Sequence, residues 1–367
     1  MRICAVEVIP YGIPIDGFAD AYASFATSNA VIVKLRAQNG VEGIGEACAW
    51  EPEFYGETLE SISSTITNYL EAGILGRDPF DIDPIMAWVD SKLAKVTCVK
   101  EGINLALYDL VGKLLGVPVS TLLGGRFRES IPVAAEIGVD TPETMAQNAL
   151  RLVERGFRVI KIKGSPDMTT DIPRIRGIRE AVGPDILLRL DPNAAWTTPG
   201  TLRVMQAVED CDLELLEQPI PGWDLKGMAR IRQAIDVPLM ADEGIWTPQD
   251  VVKLSEEGSA DIINIKIAKS AGLSLAKRIE AVAEAVGMPC IIGTEIEPGM
   301  SLIAKLHLAS SLRQHPYASE FTELSLLKAN VLDYDVKIVN GEVAVPDGPG
   351  FGVNLDERVL QQYRLKI

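Results

Sequence analysis

Histidine is nearly missing from this chain: only His307 and His315 occur among 367 residues. The first falls on a helix expected over 302–312 and the second in a turn. Neither stands at the end of a strand, so a histidine–aspartate base is disfavoured and both residues read as structural. Cysteine pairing is missing too. Cys4, Cys48, Cys98, Cys211 and Cys290 are odd in number, far apart and without a CxxC pair. That pattern suits reduced thiols in a cytoplasm better than a disulfide framework or a zinc site. No run approaches the ~20 apolar residues that span a bilayer. Residues 1–10 alternate like a strand, with Glu7 inside, rather than reading as a leader. The expectation is a soluble, cytoplasmic protein with no membrane partner. An excess of positive charge is also absent. Acids outnumber bases 51 to 35 and the net charge is −16, which argues against nucleic acid as a partner.

What is present is an ordinary globular composition, 47% hydrophobic and 23% charged. The length exceeds one ordinary core, so a large domain and a smaller one are expected. Residues 1 to about 50 read as a strand meander, with alternation in Met1–Ile9, Ala30–Ala37 and Val41–Ala47. Helical spacing follows over 57–70, 83–93 and 102–115. Pro118 and the pair Gly124-Gly125 then place a domain boundary near residue 125. Beyond it, eight β-rich runs alternate with amphipathic helices: 131–138, 158–163, 186–191, 213–217, 238–242, 262–267, 289–294 and 317–321. Eight βα units point to a modified (β/α)₈ barrel of the TIM type over 126–329. No Gly-rich phosphate loop follows the first strand, which weighs against a dinucleotide fold. The tail from about 330 to 367 returns to strand-like segments and is expected to complete the α+β capping domain formed by 1–125.

Chemistry gathers at the ends of those strands. Lys161 and Lys163 finish the second, Asp191 the third, Glu217 the fourth and Asp242 the fifth, with Lys266 near the end of the sixth. The last four are spaced by 26, 25 and 24 residues, the length of one βα unit, so they should stand side by side on one rim. In a barrel that C-terminal rim carries the active site. Three carboxylates on adjacent strands repel one another unless a cation lies between them. An oxygen-only set favours Mg²⁺ or Mn²⁺. Each acid alone could be a helix cap, but three in register with flanking lysines indicate a metal site. Lys163 and Lys266 flank the ligands and are expected to face opposite sides of a substrate, with pKa values lowered by the metal and by each other. Lys161 shares the pleat face of Lys163 and is expected to stay protonated and depress it.

The pattern Lys161-Ile-Lys163, Asp191-Pro-Asn193, Glu217-Gln-Pro, Asp242-Glu243 and Ile265-Lys266 resembles the enolase superfamily, and within it the muconate-lactonizing-enzyme subgroup. The stretch from Asn104 through Asp109 to Lys113, with Pro118 and Leu123-Gly-Gly125, resembles that family's junction between capping domain and barrel. The resemblance covers nearly the whole chain. It implies Mg²⁺ on Asp191, Glu217 and Asp242, Lys163 and Lys266 as the acid/base pair, and Glu243 and Asn193 as supports behind the ligands. It implies removal of the α-proton of a carboxylate substrate through an enediolate. It also implies a homo-oligomer, and a role for Glu320 at the eighth strand. The Asp-x-Asp usual there in dipeptide epimerases is missing.

Specificity is expected from two capping loops, 16–25 and 48–55, and from the last two strand ends. Asp16, Phe18, Tyr22, Trp50, Glu51 and Tyr55, with Glu295, Glu297 and Glu320, make an acidic and aromatic substrate-binding set without Arg or Lys in the loops. Such a lining suits an ammonium or iminium group. The expected substrate is amino-acid-derived and proline-like, undergoing epimerisation or dehydration. A muconate-type cycloisomerase and an acid-sugar dehydratase are the neighbouring readings. A Schiff-base lysine aldolase and a non-catalytic binding barrel are the readings of another class.

Overall fold

A computed structural model describes residues 1–49 and 52–367. The first half of the smaller layer is an antiparallel meander in chain order: β1 (Ile3–Ala19), β2 (Ser24–Ala37) and β3 (Glu42–Cys48). Helix Thr97–Leu115 lies across this sheet. The approach is close because β3 carries no bulk there: a Cβ on Gly45 would stand 2.1 Å from the Gly102 carbonyl. Apolar residues at strand and helix periods then close a core around Val31, Val33, Leu35, Ile62, Ile66, Ile103 and Leu107.

The expected loop over 16–25 is a correction. β1 and β2 continue through it as a hairpin, with Phe18 opposite Phe25, and the chain turns only at 20–23. Residues such as Phe18 and Phe25 suit a pleated surface as well as a loop, and sequence alone did not separate the two.

All eight expected barrel strands form: β4 (Ser130–Ile137), β5 (Val159–Lys163), β6 (Leu187–Asp191), β7 (Leu213–Glu217), β8 (Leu239–Ala241), β9 (Ile262–Ile265), β10 (Cys290–Ile292) and β11 (Ser319–Glu320). Neighbours from β4 to β10 pair in parallel in chain order, and β11 returns to pair with β4. Between β10 and β11 the Ile292 N–H donates to the Ser319 hydroxyl at 3.0 Å. Threonine caps start the intervening helices where the sequence offers Thr with Pro in the first turn. Thr141 Oγ1 accepts from Thr144 N–H, and Thr197 Oγ1 accepts from Gly200 N–H.

The tail divides between the two parts. The hairpin β12 (Ile338–Val339) and β13 (Glu342–Ala344) pairs with β4 of the barrel. Helix Glu357–Tyr363 follows, and Arg364 bridges to Tyr11 of β1. The domains are also joined by the Asn104–Lys113 motif. Asn104 Oδ1 accepts from the Leu273 N–H at 2.7 Å, capping a barrel helix from the other domain. Asp109 accepts from the backbone N–H groups of Ile44 and Phe351. Among the described residues, no helix is long and apolar enough to cross a membrane.

Candidate active site

The barrel interior is layered by the two-residue pleat period. Ala134, Val159 and Ala318 form one apolar patch of the floor, and Leu215, Met240, Ile262 and Ile291 form another. Arg189 completes this layer, fully buried, with its guanidinium 2.5 Å from Glu214 and donating to the Ala318 carbonyl. Two residues further along each strand, the same face presents Glu136, Lys161, Asp191, Glu217, Asp242, Asn264, Gly293 and Glu320. Gly293 is the single position without a side chain, and Asn264 fills its space: a Cβ there would lie 2.2 Å from Asn264 Oδ1. Lys161 and the three expected acids are therefore in one ring, with Lys163 and Lys266 one pleat repeat above it, because side-chain direction repeats every second residue on strands of common tilt.

Lys161 sits at the hub. Its ammonium lies 3.0 Å from Glu136, 3.0 Å from Asp191, 2.7 Å from Glu217 and 2.8 Å from Glu320. Burial alone would push this ammonium down, but Asp191, Glu136, Glu217 and Glu320 together hold it well above the ordinary lysine value. Lys163, one pleat higher, contacts Asp191 at 2.9 Å and Glu136 at 3.5 Å. Its depression is expected with a cation on the acids, and without one the balance of charges is different. Burial, Lys161 and Lys266 all lower its pKa, yet Asp191 and Glu136 outweigh them and hold it above the ordinary value. Sequence reasoning had counted the neighbouring lysines but not Glu136.

Across the mouth, Lys266 Nζ stands 3.0 Å from Asp242 and 3.0 Å from Glu295. Lys269, three residues on, also bonds the Asp242 carboxylate and donates to its carbonyl at 2.5 Å. Burial would raise the Asp242 carboxyl, but Lys266, Lys269 and Lys161 hold it far below the carboxylate range. The backbone just past two of the acids is turned sharply into the left-handed region, with φ 47° at Asn193, 58° at Ala194 and 24° at Gln218. Non-glycine residues enter that region rarely, and such strain gathers at functional sites.

The lysine ammoniums lie between the acids, and among the described residues no three acids, histidines or cysteines gather as a metal-ligating group. The donor set still suits a hard divalent cation. Asp191, Glu217 and Asp242 are buried oxygen donors on three consecutive strands. Glu217 Oε2 and Asp242 Oδ2 lie at ion-pair distance from lysines but accept no aligned hydrogen bond from any described residue. Behind them, Asn193 Nδ2 donates to Glu243 Oε1 at 3.3 Å, and the Tyr22 hydroxyl donates to the same oxygen at 3.3 Å. Burial, with Asp242 and Asp191 nearby, pushes the Glu243 carboxyl up to about 8.

The remaining expected substrate residues separate. Tyr55 donates to Glu295 Oε1 at 2.6 Å, and Tyr22 reaches the rim through Glu243. Phe18 packs with Ile15, Cys48, Ala268 and Ile296 beneath the hairpin tip. Glu320 is in the ring on Lys161. Asp16 is a correction: it faces outward, 3.1 Å from Lys328, because its strand position points away from the barrel. Glu297 is a second: its carboxylate is fully buried on Lys305, on the other side of its turn from Glu295. Trp50 and Glu51 lie outside the described residues. Glu136, Asn264 and Lys269 were not anticipated. For the first two the signal was there, since Glu136 lies on the expected first strand and Asn264 precedes Lys266 by one pleat repeat. Both histidines are structural, His307 accepting from Ser120 N–H and His315 paired with Ser319.

Residues 4–124 match the mandelate racemase / muconate lactonizing enzyme N-terminal domain, and 144–359 match the enolase C-terminal domain-like family. The chain belongs to the enolase superfamily. Its place is the muconate-lactonizing-enzyme subgroup, a group of metal-dependent isomerases, and proton abstraction beside a carboxylate is consistent with its relatives. It is 33% identical to the L-Ala-D/L-Glu epimerase of Bacillus subtilis, over 96% of this chain and 97% of that protein. It is 30% identical to the N-succinyl-L-Arg/Lys racemase of Bacillus cereus, over 99% and 98%. The structure of 2-chloromuconate cycloisomerase from Rhodococcus opacus 1CP superposes with a TM-score of 0.96 at 31% identity, over 100% of both chains.

Proposed function

We propose that the chain epimerises an amino-acid-derived, proline-like carboxylate at its α-carbon, or removes water from it where a β-hydroxyl is present. Asp191, Glu217 and Asp242 would hold Mg²⁺, or Mn²⁺. Bound there, the cation supplies electrostatic stabilisation of charge developing on the substrate carboxylate and offsets the Asp191 charge that holds Lys163 protonated. Lys163 and Lys266 work from the two sides of the mouth. One removes the α-proton as a free amine, and the other, as an ammonium, delivers a proton to the opposite face. Lys161 keeps its proton, balancing four carboxylates and fixing the pleat face on which Lys163 stands.

The observation that carries the substrate class is the place of Glu295. It is a buried carboxylate beside Lys266, bonded to the Tyr55 hydroxyl and flanked by aromatic rings. Trp246 stands with Phe54 at 5.2 Å and with Tyr55 at 5.8 Å between ring centroids. A carboxylate with aromatic faces favours a substrate ammonium or iminium, whereas a second substrate carboxylate would be repelled. The L-Ala-D/L-Glu epimerase and the N-succinyl-L-Arg/Lys racemase among the relatives support an amino-acid-derived substrate in the broad sense. A dipeptide is less well matched, because Glu320-Phe321-Thr322 stands where an Asp-x-Asp would be, and Thr322 is engaged by the Glu136 N–H.

The test is a substrate panel of amino-acid derivatives, muconates and acid sugars, read by α-proton exchange in D₂O and by product. Turnover of amino-acid derivatives is expected, with Glu295→Gln raising their KM about 10- to 100-fold, the range of a charge-assisted hydrogen bond. Turnover confined to muconates or polyhydroxy acids would sink the reading.

A further inference from the structure

Glu295 and Glu297 point to opposite sides of one short turn, and that turn is strained. Ile296 between them has φ 55°, a left-handed conformation that a β-branched residue rarely adopts. Four bonds hold it. The Ile296 N–H donates to Thr294 Oγ1 at 2.9 Å, and its carbonyl accepts from the Ser28 hydroxyl at 2.6 Å. Glu297 Oε2 accepts from the Glu295 N–H at 3.0 Å and from the Thr294 hydroxyl at 3.0 Å. The acceptors of three of those bonds, Thr294 and Glu297, converge on one cation. Lys305 Nζ lies 3.0 Å from Thr294 Oγ1, 2.9 Å from Glu297 and 2.5 Å from Glu323, and sits 4.8 Å from the Phe321 ring centroid.

Lys305, Glu297 and Glu323 are all fully buried. None of them is among the ring residues, and the proton transfers above do not use them. A buried ammonium with two carboxylates is costly to maintain as a core element, since an apolar replacement of similar volume often serves stability as well. Its geometry here has a specific consequence. Without Lys305, Glu297 would carry an unbalanced buried charge, and the turn it braces would lose the partner that fixes it.

We propose that Lys305 is a positioning residue: it clamps the 294–297 turn in its strained form and so sets Glu295 beside Lys266 and Tyr55. The effect on substrates rests on the reading of Glu295 given above, whereas the clamp itself does not. The test therefore has two readouts. The first is hydrogen–deuterium exchange of the peptide spanning 293–299 in Lys305→Met and in the milder Glu297→Gln. Exchange is expected to accelerate at least tenfold in Lys305→Met and less in Glu297→Gln, and to stay unchanged in Glu295→Gln. The second is the ratio of kcat/KM for an ammonium-bearing substrate over its N-acylated counterpart. That ratio should fall in Lys305→Met as far as in Glu295→Gln, mainly through KM, and the double variant should be no worse than Glu295→Gln alone.

Unchanged exchange over 293–299 in a folded variant overturns the clamp, and so do additive losses in the double variant. If Lys305→Met does not fold, exchange in Glu297→Gln decides the question alone. Faster exchange with a ratio that even Glu295→Gln leaves untouched supports the clamp and overturns the substrate reading.

Discussion

One flank of the barrel mouth, from β5 to the end of β9, holds its charges by redundancy. Lys161 contacts four carboxylates, carried by β4, β6, β7 and β11, and Asp242 contacts two lysines that follow β9. The opposite flank, beyond β10 and under the capping sheet, is built differently. There Glu295 stands on a strained turn, its Tyr55 partner comes from the other domain, and a single buried lysine serves two acids from below. The first flank tolerates no choice of chemistry, because its groups are set by the pleat of a closed sheet. The second can be rebuilt by changing loops without moving the ring. On the proposed reading, proton abstraction belongs to the first flank and substrate choice to the second.

The largest expected effect lies in the first flank. Lys163→Ala and Lys266→Ala should each lower turnover by ~10²–10⁴-fold, the usual worth of a positioned acid or base. Each should abolish epimerisation and lose α-proton exchange in D₂O with the epimer whose proton faces the missing lysine, and exchange of both epimers persisting in a single variant would break the two-base assignment. Stripping divalent cations with EDTA should abolish turnover, and Mg²⁺ should restore it. Retained activity in EDTA would remove the metal role of Asp191, Glu217 and Asp242. Borohydride treatment with substrate should leave the lysines unmodified, since trapping would indicate a Schiff base instead.

Smaller effects test the joint that supports the second flank. His307 is buried against Ser120 and Phe351, and burial lowers its pKa to about 4. The unfolded chain binds that proton near the ordinary value of 6.5, so His307 lowers stability progressively as pH falls from about 6.5 toward 4. The loss amounts to about 3 kcal/mol at the acid end of that window. Urea unfolding of His307→Gln should show a correspondingly shallower fall over the same window, and an unchanged slope would remove this histidine as a cause. Asn104→Ala should destabilise by about 1–2 kcal/mol through loss of its cap on helix Leu273–Ala285. A shift of the urea midpoint with kcat little changed would sharpen the division between scaffold and ring.

Much of this molecule was legible along the chain. The eight strand runs and the rim residues Lys161, Lys163, Asp191, Glu217, Asp242 and Lys266 follow from local periodicity and βα spacing, and the junction motif around Asn104 and Asp109 was legible through the family resemblance. Those are short-range properties: the pleat repeats every two residues, and a unit of about 25 residues returns the chain to the same rim. Tertiary structure alone decided which charges meet. Glu320 reaches Lys161 only because β11 closes the sheet onto β4, and Asp16 turns outward because the expected loop is a hairpin. Glu295 and Glu297 have like charge and lie two residues apart, yet they part company at Ile296, whose left-handed backbone is held by a lysine eight residues beyond Glu297. Composition and spacing record what a residue is and how far along the chain it lies. The direction a carboxylate faces, and hence its proton and its partner, is settled by long-range packing.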